Sequence, residues 1–163
     1  VKIYVASSWR NPHQPPVVAL LREHGHEVYD FRNPGPDRHG FGWKELDPDW
    51  ESWTADQYRR ALTHPVAAAG FFSDFEGMRW ADACVLVHPC GRSAHLELGW
   101  SVGAGKLTAV YFPDEVAGAG KVEPELMARL ASAILVGSSE LLEWLASWEP
   151  AAGPESTGRR RRS

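Results

Sequence analysis

The densest run of reactive side chains in this 163-residue chain is PCGRSAHLELGW, from Pro89 to Trp100. Gly91 permits a tight turn, and Ser93 is placed to cap a helix that follows. Free N–H groups at such a helix start make a site for an anion or a hydroxyl. Glu97 lies four residues after Ser93, whereas a capping box needs its acid three residues on, where this chain has Leu96. Flanked by Leu96 and Leu98, it is a carboxylate in apolar company, a candidate nucleophile or general base. The plainer reading of the same residue is a surface glutamate near the positive end of a helix dipole. Asp74 and Asp82 flank the segment that leads into the apolar run ACVLVH. One such aspartate alone reads as a cap or turn residue. Two of them opposite Glu97 would form a carboxylate cluster able to divide acid and base duties. The SSWRN turn (Ser7, Ser8, Trp9, Arg10, Asn11) and the GRS turn (Gly91, Arg92, Ser93) could each hydrogen-bond a sugar or phosphate.

Other chemistries fail on spacing. GWSVGAGK, residues 99–106, is not a phosphate-binding loop, because Trp100 stands where the first glycine belongs and Leu107 replaces the serine or threonine. It also follows a helix rather than a strand, so it is no dinucleotide fingerprint. Cys84, His88, Cys90 and His95 are zinc-competent types. They lack a CxxC spacing, and Cys84 and His88 fall in an expected strand, so the sequence predicts no metal. Cys90 as a nucleophile has only His95 nearby as a partner.

The elements that must position these residues alternate. Strands are expected at Lys2–Ala6, Glu27–Phe31, Ala83–His88, Leu107–Phe112 and Ile134–Val136, and helices at 12–24, 55–69, 93–103, 123–133 and 140–148. ACVLVH is nearly continuous in apolar residues, as a central parallel strand covered on both faces should be. The pattern predicts a single-domain α/β sandwich, Rossmann/flavodoxin-like, with a mostly parallel five-stranded sheet. In such sheets ligands sit outside the carboxyl ends of the strands, where the SSWRN and GRS turns and the loop after the second strand fall. Residues 32–54 form a long Pro-, Gly- and Asp-rich segment whose Trp43, Trp50 and Trp53 suit a lid or a surface covered by a neighbouring subunit.

Composition bounds the rest. At about 150 residues per domain the length gives one domain, and 44% hydrophobic with 23% charged residues is globular. The domain is expected over 1–150, with a disordered basic tail at 151–163. Removing that tail's four arginines and Glu155 takes the net charge from −4 to −7. An acidic body of this kind argues against duplex nucleic acid as a partner. No apolar run approaches the roughly 20 residues of a membrane span. Two cysteines make no disulfide framework, so a cytoplasmic protein is expected.

Three pieces together resemble the nucleoside 2-deoxyribosyltransferase family, which includes related nucleotide N-glycosidases. KIYVASSW is similar to the family's first strand and turn, SDFEGMRWAD to the segment entering its central strand, and SAHLELGWSVGAGK to its catalytic helix. The resemblance covers roughly residues 1–112. It implies that Glu97 is the nucleophile, that Tyr4 orients it, and that Asp74 handles the proton of the departing base. Trp9 would stack on the base, Asp82 would open the central strand at the substrate site, and Ser7, Arg10, Gly91, Arg92 and Ser93 would complete the binding surface. It further implies N-glycosidic cleavage or exchange on a nucleoside or its 5′-monophosphate through a glycosyl-enzyme ester. No cofactor would be needed, and the assembly would be a homo-oligomer, a dimer or larger. Transferases of the family usually carry an acid six residues before the nucleophile. Here that position is Gly91, and the shorter loop offers Arg92 and Ser93, which tilts the expectation to a phosphorylated substrate or to hydrolysis. A nucleotide-sensing module without turnover and an NAD-cleaving enzyme are the alternatives.

Overall fold

The computed structural model describes residues 1–35, 40–118 and 122–148, so the expected basic tail lies outside the described residues. In chain order the elements are β1 (Lys2–Ala6), α1 (Gln14–Glu23), β2 (Glu27–Tyr29), α2 (Ala55–Ala61), α3 (Pro65–Trp80), β3 (Ala83–Val87), α4 (Arg92–Gly103), β4 (Leu107–Phe112), α5 (Asp114–Ala117), β5 (Ala133–Val136) and α6 (Ser138–Ala146). The five strands form one sheet in the order β2-β1-β3-β4-β5, every neighbouring pair parallel. This is the doubly wound flavodoxin-like order, whose direction of winding reverses between β1 and β3. The apolar run at Ala83–Val87 is buried at all five positions because helices cover both of its faces.

Side chains alternate along each strand, so every strand feeds two cores. Ile3 and Val5 of β1 face α1 and α6, packing with Val17, Val18, Leu21, Leu141 and Leu145. Tyr4 and Ala6 face α3 and α4, packing with Met78, Ala94 and Leu98. Full burial of a leucine such as Leu21 or Leu141 contributes roughly 1.5–3 kcal/mol. Gly105, at φ +71°, turns the chain out of α4. The lysine beside it, Lys106, donates to the carbonyl oxygens of Arg79 and Ala81 and so satisfies the end of α3. No described helix is long and apolar enough to cross a membrane.

Three expectations are corrected. The helix expected over 55–69 is two helices, because Pro65 forces His64 into an extended conformation and opens α3 as its first residue. The helix expected over 123–133 is a short 3₁₀ turn at Leu126–Leu130, preceded by an extended Glu125. Pro124 disfavours a helical Glu123, and Leu126, Met127 and Leu130 stay exposed, so no buried face sustains a longer helix. Finally, α4 starts at Arg92 with Gly91 as its N-cap, and no side chain caps it, so Ser93 lies inside the first turn.

The long segment after β2 folds back on α3. It contains two 3₁₀ turns, Trp43–Glu45 and Trp50–Ser52. Trp43 stands edge-on to Phe41, Trp53 and Tyr58 at 4.8, 5.6 and 5.9 Å between ring centres. Phe41 rests on Gly70 of α3, where a Cβ would lie 2.5 Å from the Phe41 Cβ. These aromatic contacts are therefore made within the chain.

Candidate active site

Register places Tyr29, Tyr4, Cys84 and Thr108 side by side on β2, β1, β3 and β4. Neighbours in parallel register project to one face, here the face covered by α3 and α4. The rings of Tyr4 and Tyr29 stack at 5.3 Å with planes 12° apart. Gly77 of α3 makes room for this, since a Cβ there would stand 2.6 Å from the Tyr29 ring. Tyr29 can then extend its hydroxyl along α3, where it donates to Asp74 Oδ1 at 3.0 Å and lies 3.0 Å from Ser73 Oγ. From the other side α4 brings in Glu97, half-buried and close enough for its charge to act on Tyr4, Cys84 and Cys90.

The electrostatics follow from that burial. Glu97 is pushed up to about 7, first by loss of solvent and then by the charge of Asp74, with Tyr4 pulling in the opposite sense. Asp74 is pushed up to about 6 by burial, against the stabilising bond from Tyr29. Tyr4 is raised well above 10 by burial and then by Glu97 and Asp74, so it remains a phenol and a donor. Its hydroxyl is buried and completes no hydrogen bond. The pull of Tyr4 on Glu97 is thus that of a loose contact rather than a formed bond. Both carboxyls bind protons more tightly than usual, Glu97 the more so, and near neutral pH Glu97 is the one that keeps a proton more often. One can then act as an anion while the other acts as an acid.

The cysteines stay out of this chemistry as free thiols. Burial lifts Cys84 to about 12, and burial with Glu97 lifts Cys90 to about 11, so neither thiol ionises near neutral pH.

The structure thus brings together Glu97, Asp74 and Tyr4. It does not bring Asp82 to them. Asp82 accepts the backbone N–H of Lys2 at 3.0 Å and sits where β1 and β3 begin, at the opposite edge of the sheet from the Gly91 turn. Ser7 is buried, its hydroxyl donating to the carbonyl of Val87 at 2.9 Å, so it ties β1 to β3. Arg10 reaches outward to Glu51 at 3.2 Å, both side chains mostly exposed. Trp9 is half exposed beyond the carboxyl end of β1, edge-on to Phe31 at 5.4 Å. Gly91, Arg92 and Ser93 are exposed at the open start of α4.

No protein-family model matches the chain, and no curated protein matches it in sequence. Among the solved structures to which the chain is similar are two enzymes. One is a 2-deoxyribosyltransferase from the psychrotolerant bacterium Bacillus psychrosaccharolyticus, at 23% identity and TM-score 0.49, covering 82% of this chain and 85% of that one. The other is a CMP N-glycosidase from Clostridium botulinum, at 14% identity and TM-score 0.47, covering 88% and 97%.

Sequence reasoning missed the residues that hold the site in place. Tyr29 is the main one. Its signal was available, because KIYVA and EVY are adjacent parallel strands with a tyrosine each, and Gly77 interrupts a helical run. Asn11 donates to Ser7 Oγ at 2.9 Å and to the Val87 carbonyl at 3.1 Å, from a fully buried position. Arg32 donates from one guanidinium nitrogen to the carbonyls of Ser8, Trp9 and Asn11 at 3.0, 2.9 and 2.8 Å. It lies 5.6 Å from the Trp9 ring centre. Asn11 and Arg32 fix the turn that carries Trp9.

Proposed function

We propose that this chain cleaves or exchanges the N-glycosidic bond of a nucleoside or nucleoside 5′-monophosphate, with Glu97 as nucleophile. The observation that carries the reading is the half-buried carboxyls Glu97 and Asp74, set against a buried Tyr4 hydroxyl that completes no hydrogen bond among the described residues. Glu97 attacks the anomeric carbon as the carbon–nitrogen bond breaks, forming a glycosyl ester. The proton that Glu97 releases as it becomes the nucleophile passes to Asp74, which gives it to the departing base. Water or a second base then attacks the same carbon, Asp74 takes the proton back, and the ester opens. Two displacements at one carbon retain its configuration. Tyr4 donates to the Glu97 oxygen that is not attacking and so fixes its orientation. Trp9 offers an exposed ring face to the base. At the start of α4, uncapped N–H groups together with Arg92 and Ser93 suit a 5′-phosphate.

The test is chromatographic release of free base from a panel of deoxynucleosides and their 5′-monophosphates, with and without a second base, alongside Glu97→Ala. Release without acceptor, greater for monophosphates and lost in the variant, is the expected result. New nucleoside formed only with a second base makes the protein a transferase. Turnover that survives in Glu97→Ala removes Glu97 from the role given to it here.

A further inference from the structure

The chain turns sharply just beyond β3, so His88 leaves the strand and faces the first turns of α4. One ligating atom from each of His88, Cys90 and His95 lies within 4.8 Å of the other two. Cys90 Sγ is 4.0 Å from His88 Nδ1 and 3.8 Å from His95 Nδ1. A tetrahedral ion with a metal–sulfur bond of about 2.3 Å and metal–nitrogen bonds of about 2.0–2.1 Å needs sulfur and nitrogen roughly 3.5 Å apart. Closing that gap takes a few tenths of an ångström, within reach of a cysteine rotamer. We propose that His88, Cys90 and His95 form a binding site for a late divalent transition-metal ion of the zinc class.

The surroundings favour such an ion. The His88 ring is held flat against Phe112, 4.4 Å between centres and 9° between planes, so the direction of its nitrogen is set in advance. His95 Nδ1 lies 3.0 Å from the Gly91 carbonyl oxygen, one helical turn back, which fixes that ring too. The three residues share the wall of a cavity of about 440 Å³ with Glu123 and Glu125. Those carboxylates supply negative charge, and the cavity leaves room for a fourth ligand, water or an anionic oxygen. One thiolate with two imidazoles selects zinc, cobalt(II) or copper over magnesium or calcium. On binding, the Cys90 thiol gives its proton to solvent as the metal–sulfur bond forms. The Gly91 carbonyl accepts the His95 Nδ1–H, so on binding that proton leaves Nδ1, Nε2 takes one up from solvent, and the Gly91 contact is exchanged for a coordinate bond. The spacing, His-x-Cys followed by a histidine five residues on, matches no familiar zinc signature, which is why the sequence alone predicted none.

The probe is cobalt(II), titrated into the full chain after chelator treatment and followed by absorption. The expected result is one equivalent bound, with visible bands of a tetrahedral ion and a near-ultraviolet thiolate-to-cobalt band, all abolished by one equivalent of zinc. Cys90→Ser should remove the thiolate band, and His95→Ala should weaken binding by about tenfold or more. Cys84 is the only other cysteine and is fully buried, so the wild-type spectrum is itself diagnostic even where a variant fails to fold. No thiolate band at stoichiometric cobalt, or a band that persists in a folded Cys90→Ser protein, overturns the site.

Discussion

Replacing Asp74 by Asn removes a charge from the α3 side of the site while leaving an oxygen to accept the Tyr29 hydroxyl. In the folded protein this carboxyl is raised from 3.8 to about 6, mainly by burial. The folded state therefore binds the proton more tightly than the unfolded chain does. Its contribution is fully present below about pH 3.8 and is lost as pH rises through about 6. At about 1.4 kcal/mol for each pH unit between those values, ionised Asp74 costs up to about 3 kcal/mol. The side chain keeps some contact with solvent, which brings the working figure to about 2 kcal/mol. Asn carries no such penalty. Urea unfolding at a series of pH values from 4 to 8 should show Asp74→Asn and wild type nearly equal at the acid end. The variant should be about 2 kcal/mol more stable at pH 8. Base release should fall by about 10²–10⁴-fold in the same variant, since the amide holds no proton for the leaving group. A stability difference that is flat with pH, or a variant less stable than wild type at pH 8, would refute the assignment of Asp74 as a carboxyl strained by burial.

Two further substitutions probe the scaffold. Gly77→Ala should destabilise by about 1–3 kcal/mol in urea unfolding, although alanine is the better helix former, because Tyr29 is pinned by Tyr4 and cannot yield. Its control is Gly99→Ala in α4, where a Cβ meets nothing within 4 Å, and a gain of up to about 1 kcal/mol is expected. Arg32→Met should cost about 2–3 kcal/mol and speed amide hydrogen exchange in residues 8–11, since three carbonyls of that turn lose their donor.

Much of the sheet was legible because burial on two faces leaves a nearly continuous apolar run, as at Ala83–Val87 and, broken only by Thr108, at Leu107–Phe112. The failures share a physical cause, which is that sequence spacing does not say what a residue will face. Asp82 precedes β3, and residues that precede a parallel strand lie at the amino edge of the sheet, away from the ligand crevice. The same rule that pointed to the Gly91 turn therefore argues against Asp82. Tyr29 escaped notice because a tyrosine in a short strand is ordinary until a neighbouring strand aligns Tyr4 beside it. From sequence, His88, Cys90 and His95 are set aside as metal ligands because His88 falls in an expected strand, whereas their convergence depends on a turn immediately after Val87. The expected 123–133 helix had a plausible composition but no facing surface to bury it.

The arrangement around Glu97 is one that stability alone would select against. A buried phenol hydroxyl without a completed hydrogen bond costs about 1–3 kcal/mol. Asp74, when ionised, adds a comparable penalty, and Glu97 is raised further still. A domain has only about 5–15 kcal/mol of net stability to set against them. Phenylalanine at position 4 and leucine at position 97 would fill similar volumes without any of these penalties. The unfavourable groups are also not dispersed. Tyr4 lies on β1, Asp74 on α3 and Glu97 on α4, three elements that pack together on one face of the sheet. Tyr29 and Gly77 are shaped to hold Asp74 in place. Local violations that converge on one place, with supporting residues fitted around them, are what the proposed chemistry would require. Elsewhere on the same row Thr108 is hydrogen-bonded to Ser132, so the penalty is confined to the side of the sheet that carries the two carboxyls.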